Sequence, residues 1–199
     1  MGRPKLSNRN TKAELIQAAR IIIQTKGFHA FTFQDLADKL KIRKPSIYHY
    51  FPTKADLGVD ILEDGVVWFN CWRQELKAKN PSPLKKIESY LKFFHYLSGD
   101  GKRVCPGGAF MIIWPILPGK LQKAVKKIIA VQIEWLKETL EQGRKSGEIT
   151  EKGGPEEQAQ MILASLQGGL QTSRAQGDPT YFRYITKQLF NSLKKSEGI

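Results

Sequence analysis

The chain has 199 residues, with 32 Lys and Arg against 19 Asp and Glu and a formal net charge of +13. That length supports one or two small domains with a sizeable core, its composition is that of an ordinary globular protein, and no run reaches the roughly 18 apolar residues of a membrane span. The opening segment lacks the apolar stretch of a secretory signal, which makes the cytoplasm the expected compartment, and Cys71 and Cys105 form neither a disulfide framework nor a CxxC metal pair.

Positive charge is densest at the start: residues 1–57 hold eleven Lys and Arg against four Asp and Glu. Such a distribution suits a polyanionic partner, although a merely solvated basic segment has the same charge. In chain order, Asn10 or Thr11 caps a first helix with apolar positions Leu15, Ala18, Ala19, Ile22 and Ile23, and Gly27 ends it. Thr32 caps a short helix carrying Leu36, Ala37 and Leu40. Pro45 falls in the first turn of a third, which Pro52 closes. Thr53 caps a long fourth helix with the stripe Leu57, Ile61, Gly65, Trp68, Trp72 and Leu76, broken at Asn80-Pro81-Ser82-Pro83. A fifth runs from about Leu84 to Ser98. The stretch Cys105–Trp114 has no defined pattern. A long helix from about Leu121 stops near Gly147, and two more lie at about 155–176 and 179–195. The expected fold is all-α, with an N-terminal three-helix DNA-binding unit, residues 1–53, and a helical effector-binding and dimerisation unit, residues 54–199.

Residues 32–57, TFQDLADKLKIRKPSIYHYFPTKADL, read as two short helices joined by a tight turn. The second exposes a basic, polar and aromatic face suited to a DNA major groove. The stretch resembles the signature of the tetracycline-repressor (TetR) family: Thr32, Leu36-Ala37, Ser46-Ile47-Tyr48-His49-Tyr50-Phe51, and Lys54 with Leu57. The resemblance implies a DNA-binding transcription regulator, in most members a repressor. By the same resemblance Thr32, Tyr48, His49 and Lys54 hold operator phosphates, Gln34, Lys44, Pro45 and Ser46 touch base edges, and Arg43 serves either purpose. The arm with Arg3 and Lys5 reaches an adjacent minor groove or is a solubilising tail. Two positions depart from the family: Lys41 replaces a frequent glycine, and Arg43 replaces a Ser or Thr cap. A left-handed Lys41 carries strain of roughly 1–2 kcal/mol.

The last two helices are apolar on more than one face, as expected of a homodimer interface. The candidate contacts are Leu166, Gly168, Gly169, Thr172, Phe182, Ile185 and Leu189; a single buried core is the competing reading. Trp68, Phe69, Trp72, Phe94, Cys105, Phe110, Trp114 and Trp135 are candidates to line a pocket for a small, largely apolar effector, although aromatic residues at helical spacing also make plain core. Cys105 lies close in sequence to Lys102 and Arg103, which favour a thiolate, so a repressor sensing electrophiles or oxidants through this thiol stays open. An architectural DNA-binding protein without effector is a further alternative, disfavoured by the size of the second unit. No HExxH, GxSxG or GxxxxGK[ST] pattern occurs, so neither an enzyme, a cofactor nor a metal is expected. The expected partners are a double-stranded operator, a second copy of the chain and a small molecule.

Overall fold

The structure is a computed structural model that describes residues 11–150 and 153–195. Among these the elements are α1 (Thr11–Lys26), α2 (Phe33–Leu40), α3 (Lys44–Tyr50), α4 (Lys54–Ala78), α5 (Pro83–Ser98), α6 (Pro106–Met111), a 3-10 turn (Trp114–Ile116), α7 (Gly119–Lys145), α8 (Pro155–Gln176) and α9 (Pro179–Leu193). The one β-type pairing among the described residues is an isolated antiparallel bridge between Ile149 and Lys194, which closes the far end. No described helix is long and apolar enough to cross a membrane.

Local chemistry sets the element ends. Gly27 terminates α1 in the left-handed region (φ 85°). Thr32 and Thr53 each close a capping box, with Asp35 and Asp56 returning the bond to the cap N–H. Pro83, Pro106, Pro155 and Pro179 all fall in first turns, where the missing N–H has no intrahelical acceptor to lose. The stretch without a clear pattern resolves into α6, six residues started by Pro106, followed by the 3-10 turn around Pro115.

Two apolar cores stack along the molecule. The lower one joins Leu15, Ile23, Leu36 and Ile47 of the first three helices and Phe51 just after them to Leu57 and Ile61 of α4, Phe110 of α6 and Leu121 and Val125 of α7. The upper one joins Phe69, Tyr90, Phe94, Trp135, Leu166 and Phe182 from α4, α5, α7, α8 and α9. Position 53, drawn from charge as the edge of the DNA-binding unit, is a helix start, yet no break in packing falls there. At Gly58 the approach is close: a Cβ would stand 2.8 Å from Leu121 Cδ2 and 3.2 Å from Phe110 Cε1, so those side chains would have to shift.

Candidate nucleic-acid interface and cavity

Helix α3 is held by very little of itself. Of its seven residues only Ile47 is buried, and Lys44, Pro45, Ser46, Tyr48, His49 and Tyr50 are all exposed. Phe51, fully buried just beyond its C-terminus, supplies the second anchor. Tyr48 leans edge-on against Phe33 of α2 with ring centroids 5.1 Å apart, which fixes the ring while its hydroxyl end stays outside. Arg43 caps α3 without a side-chain hydrogen bond, and no acidic residue occupies the first turn. Cations here oppose the helix dipole, so local stability does not account for Arg43 and Lys44. The tight turn runs through Lys41 at φ 54°, left-handed in a residue with a Cβ.

The other expected DNA contacts surround this helix. Thr32 is exposed, and its hydroxyl donates to Asp35 Oδ2 at 2.6 Å. Gln34, also exposed, donates to Asp38 Oδ1 at 2.6 Å. The Lys26 ammonium, followed by the Thr32 bonds, holds the Asp35 carboxyl well below the usual range. Lys54 is half-buried: its Nζ donates to the His29 carbonyl at 3.3 Å and lies over the Phe28 and Phe31 rings, 5.0 and 5.5 Å from their centroids. That burial lowers the pKa of its ammonium, against the opposing pull of Asp35. Arg3 and Lys5 lie outside the described residues.

Above the lower core, where it meets the upper one, is a cavity of about 200 Å³. Its walls come from five helices: Arg20 of α1, Ile61, Gly65, Trp68 and Phe69 of α4, Phe93, Tyr96 and Leu97 of α5, the Cys105–Gly107 corner of α6, and Ile128 and Gln132 of α7. Of the aromatic and thiol candidates, the fold brings Trp68, Phe69 and Cys105 to this cavity. It does not bring the others. Phe94 and Phe110 are fully buried in the upper and lower cores. Trp72 packs among Phe69, Tyr90 and Trp135. Trp135 lines a separate polar groove with Arg73, Lys77 and Lys86, and Trp114 sits in the 3-10 turn under Lys126. At the cavity wall Trp68 stacks on Phe93 at 4.4 Å, a pairing that leaves the indole 43% exposed. Gln132 accepts the buried Tyr90 hydroxyl at 2.8 Å and donates to the Ile128 carbonyl. Arg103 turns its guanidinium to the Tyr96 carbonyl at 3.5 Å.

Among the described residues, several polar ties cross from the first helices into the rest of the chain, and composition marks none of them. Buried Gln24 accepts the Val104 N–H on its carbonyl at 3.1 Å and donates from its side chain to the Val104 carbonyl at 3.0 Å. Arg174 of α8 donates to the Thr25 carbonyl. Arg20 pairs with Asp64, and Lys12 with Asp60 at 2.7 Å. At the start of α4, Lys120 of α7 pairs with Asp56. Glutamine at 24 continues an otherwise apolar face, and Arg20 counts in the sequence as one more unit of basic charge, so only the fold reveals either contact.

The candidate interface residues divide. Leu166, Phe182 and Leu189 are buried within the chain itself, as is Gly169, whose position faces Phe182 and Ile185 at 3.1–3.2 Å. They are core side chains because α8 and α9 use these stripes to pack on each other and on α5 and α7. Ile185 is half-buried, while Gly168 and Thr172 face outward, with no atom near a Cβ at 168.

The family model for bacterial regulatory proteins of the TetR family matches residues 15–60, and the model for the tetracyclin repressor-like C-terminal domain matches residues 84–189. The chain belongs to the TetR family. Its fold superposes on a TetR transcriptional regulator from Legionella pneumophila with a TM-score of 0.84 at 27% identity, covering 95% of this chain and 100% of that one. A TetR-family regulator from Agrobacterium tumefaciens gives a TM-score of 0.86 at 25% identity, covering 94% and 100%. An uncharacterized HTH-type transcriptional regulator of Lactococcus lactis is 24% identical over 166 residues, 81% of this chain and 82% of the relative. The HTH-type transcriptional repressor KstR2 of Mycolicibacterium smegmatis is 32% identical over 74 residues, 37% of this chain and 36% of that protein. The protein is therefore a TetR-family transcriptional regulator, a DNA-binding helix-turn-helix protein and not an enzyme.

Proposed function

We propose that two copies of this TetR-family chain bind a pseudo-palindromic operator as a repressor, and that a small, largely apolar molecule entering the cavity releases them. The observation that carries the DNA half is α3, nearly all of whose surface is free of packing. Arg43, Lys44, Pro45 and Ser46 head this helix and meet base edges, with Gln34 beside them. Thr32, Tyr48, His49 and Lys54 hold phosphates around it. One seven-residue helix gives little affinity, so two must be presented about 34–36 Å apart. The outward stripes of α8 (Met161, Ala164, Gly168, Thr172) and α9 (Tyr181, Tyr184, Ile185) suit a second copy. Met161 is 49% and Tyr184 67% exposed, an apolar area that a monomer leaves wet.

The cavity supports the effector half because its walls include α1 as well as the helices of the upper core. A molecule filling it acts on the DNA-reading unit directly, and it shifts the equilibrium only by the difference in its affinity for the two helix spacings. Electrophoretic shifts on an operator selected from random DNA test the reading. Lys44→Ala should relax preference at one base position per half-site by about 1–3 kcal/mol. Equal affinity for operator and scrambled DNA at physiological salt would remove it. Gly168→Phe should give monomers by light scattering; a dimer as stable as the parent would place the interface elsewhere.

A second reading rests on Cys105, whose buried thiol lines the same cavity. If release runs through that thiol, Cys105→Ser never lets go of DNA and the parent does so only with an electrophile or oxidant. If release runs through occupancy, the serine variant still responds to the small molecule.

A further inference from the structure

The cavity has one cationic wall, and the cation belongs to α1. Arg20 reaches it from the DNA-reading unit, while every other lining residue comes from α4, α5, α7 or the start of α6. Its recorded partner among the described residues is Asp64 of α4, engaged through one Nη. A guanidinium carries five N–H donors in a planar fork matched to a carboxylate, so this single bond leaves donors without a partner among the described residues. The side chain is 30% exposed and that of Asp64 48%, which leaves the pair reachable and weakly held.

From this we infer that the cavity takes a compact carboxylate, its apolar body against the walls formed by the Trp68–Phe93 pair and Ile128 and its anionic end on Arg20. The assignment rests on the cavity reading above and adds the chemical class of the ligand. Volume limits the body: about 200 Å³ lies below the roughly 300–1,000 Å³ of drug-sized sites, so one ring or two fused rings fit better than a long chain. Trp68 and Phe93 stack on each other, so together they bound the body as one apolar wall. Asp64 competes with the ligand for Arg20. A bound carboxylate therefore loosens one of the two ion pairs, Lys12–Asp60 and Arg20–Asp64, that fasten α1 to α4, and the anion becomes a signal to the DNA-reading unit as well as an anchor.

Calorimetric titration of the full chain with benzoate, 2-naphthoate and their neutral amides tests this. At least one acid should bind about tenfold or more tightly than its amide, as a charge-assisted bond allows. Arg20→Gln should bring the two together, and Asp64→Asn, which removes the competitor, should tighten the acid alone. Gly65→Leu, whose side chain enters the cavity from an open position, should abolish both. Should Arg20→Gln fail to fold, Asp64→Asn decides by itself: unchanged or weaker acid binding overturns the proposal. Equal binding of acid and amide overturns the carboxylate assignment and leaves the cavity reading standing. An acid preference that survives Gly65→Leu places the anion elsewhere and also overturns it. No binding by any of the four overturns the assignment together with the cavity as a site for molecules of this size.

Discussion

The lower and upper cores are built differently. The lower core is mostly aliphatic, is drawn from both sides of position 53, and carries polar ties across its edges. The upper core is a ring cluster in which Phe69, Trp72, Tyr90 and Trp135 meet at 5.2–6.2 Å. The difference matters for transmission. The first three helices share their core with the starts of α4 and α7 and with α6, so the packing runs without a break from the DNA-reading unit into those segments. The cavity lies where the lower core meets the ring cluster, with α1 among its walls.

Deleting Phe110 strikes that arrangement hardest. Phe110→Ala empties a fully buried site facing Phe28, with ring centroids 4.8 Å apart, and should cost about 3–5 kcal/mol. Thermal unfolding should remain one transition for the whole chain. A first step that melts only α1–α3 would show that the lower core does not join the two units.

Gln24→Leu keeps the apolar volume and leaves the Val104 carbonyl without its side-chain donor. The expected loss is about 1–3 kcal/mol in chemical denaturation, with faster amide exchange at Val104. A neutral result would mean that water replaces the bond and the clamp is not tight.

Gly65→Ala sharpens the contrast from the cavity side. A Cβ there meets nothing nearer than Ile128 Cδ1 at 4.0 Å, so the helix should gain about 0.5–1 kcal/mol. The same change at Gly58, on the crowded lower side, should destabilise, because Leu121 and Phe110 must move. Melting shifts of opposite sign in the two variants are the expected result, and shifts of the same sign would overturn the contrast.

Lys41→Gly should raise stability by about 0.5 kcal/mol, since relief of left-handed strain exceeds the entropy that glycine adds to the unfolded chain. Operator affinity read alongside shows whether the strained turn also sets the angle of α3.

The smallest effect is on acid stability. Asp35 and Asp56 both have folded-state pKa values lowered, chiefly by Lys26 and Lys120. Their contribution is fully present above the ordinary carboxylate range and fades as pH falls below about 4 and through the depressed values. Asp35→Asn should flatten that part of the pH–melting curve; an unchanged curve would mean that the capping box contributes nothing there.

Much of the fold was legible in the chain because it rests on local rules. Gly27, Thr32, Pro45 and Thr53 act within a turn of their own position, through a left-handed glycine, a hydroxyl cap or a missing N–H, and the structure uses each as those rules require. The family followed from residues 32–57 for the same reason, since a short motif in a tight turn carries its geometry with it. The pocket and the interface were less legible. Trp72 continues the stripe of Trp68, and Phe94 and Phe110 are rings in apolar surroundings like Phe69, yet a ring in a sequence reads the same whether it faces a void or another ring. Leu166 and Gly168 stand two residues apart on one helix and differ only in which neighbour the fold supplies.

The positions of the helices other than α6, the caps at Thr32 and Thr53, the exposed basic helix and the family were thus determined by the sequence alone, because each depends on residues within about one helical turn or on a contiguous motif. Which rings border the cavity, which face of α8 stays outside, and that Gln24 and Arg20 join the DNA-reading unit to the remainder were decided only by tertiary structure. Those contacts bring together residues 44 to 149 positions apart, and no local pattern records where a distant side chain will arrive.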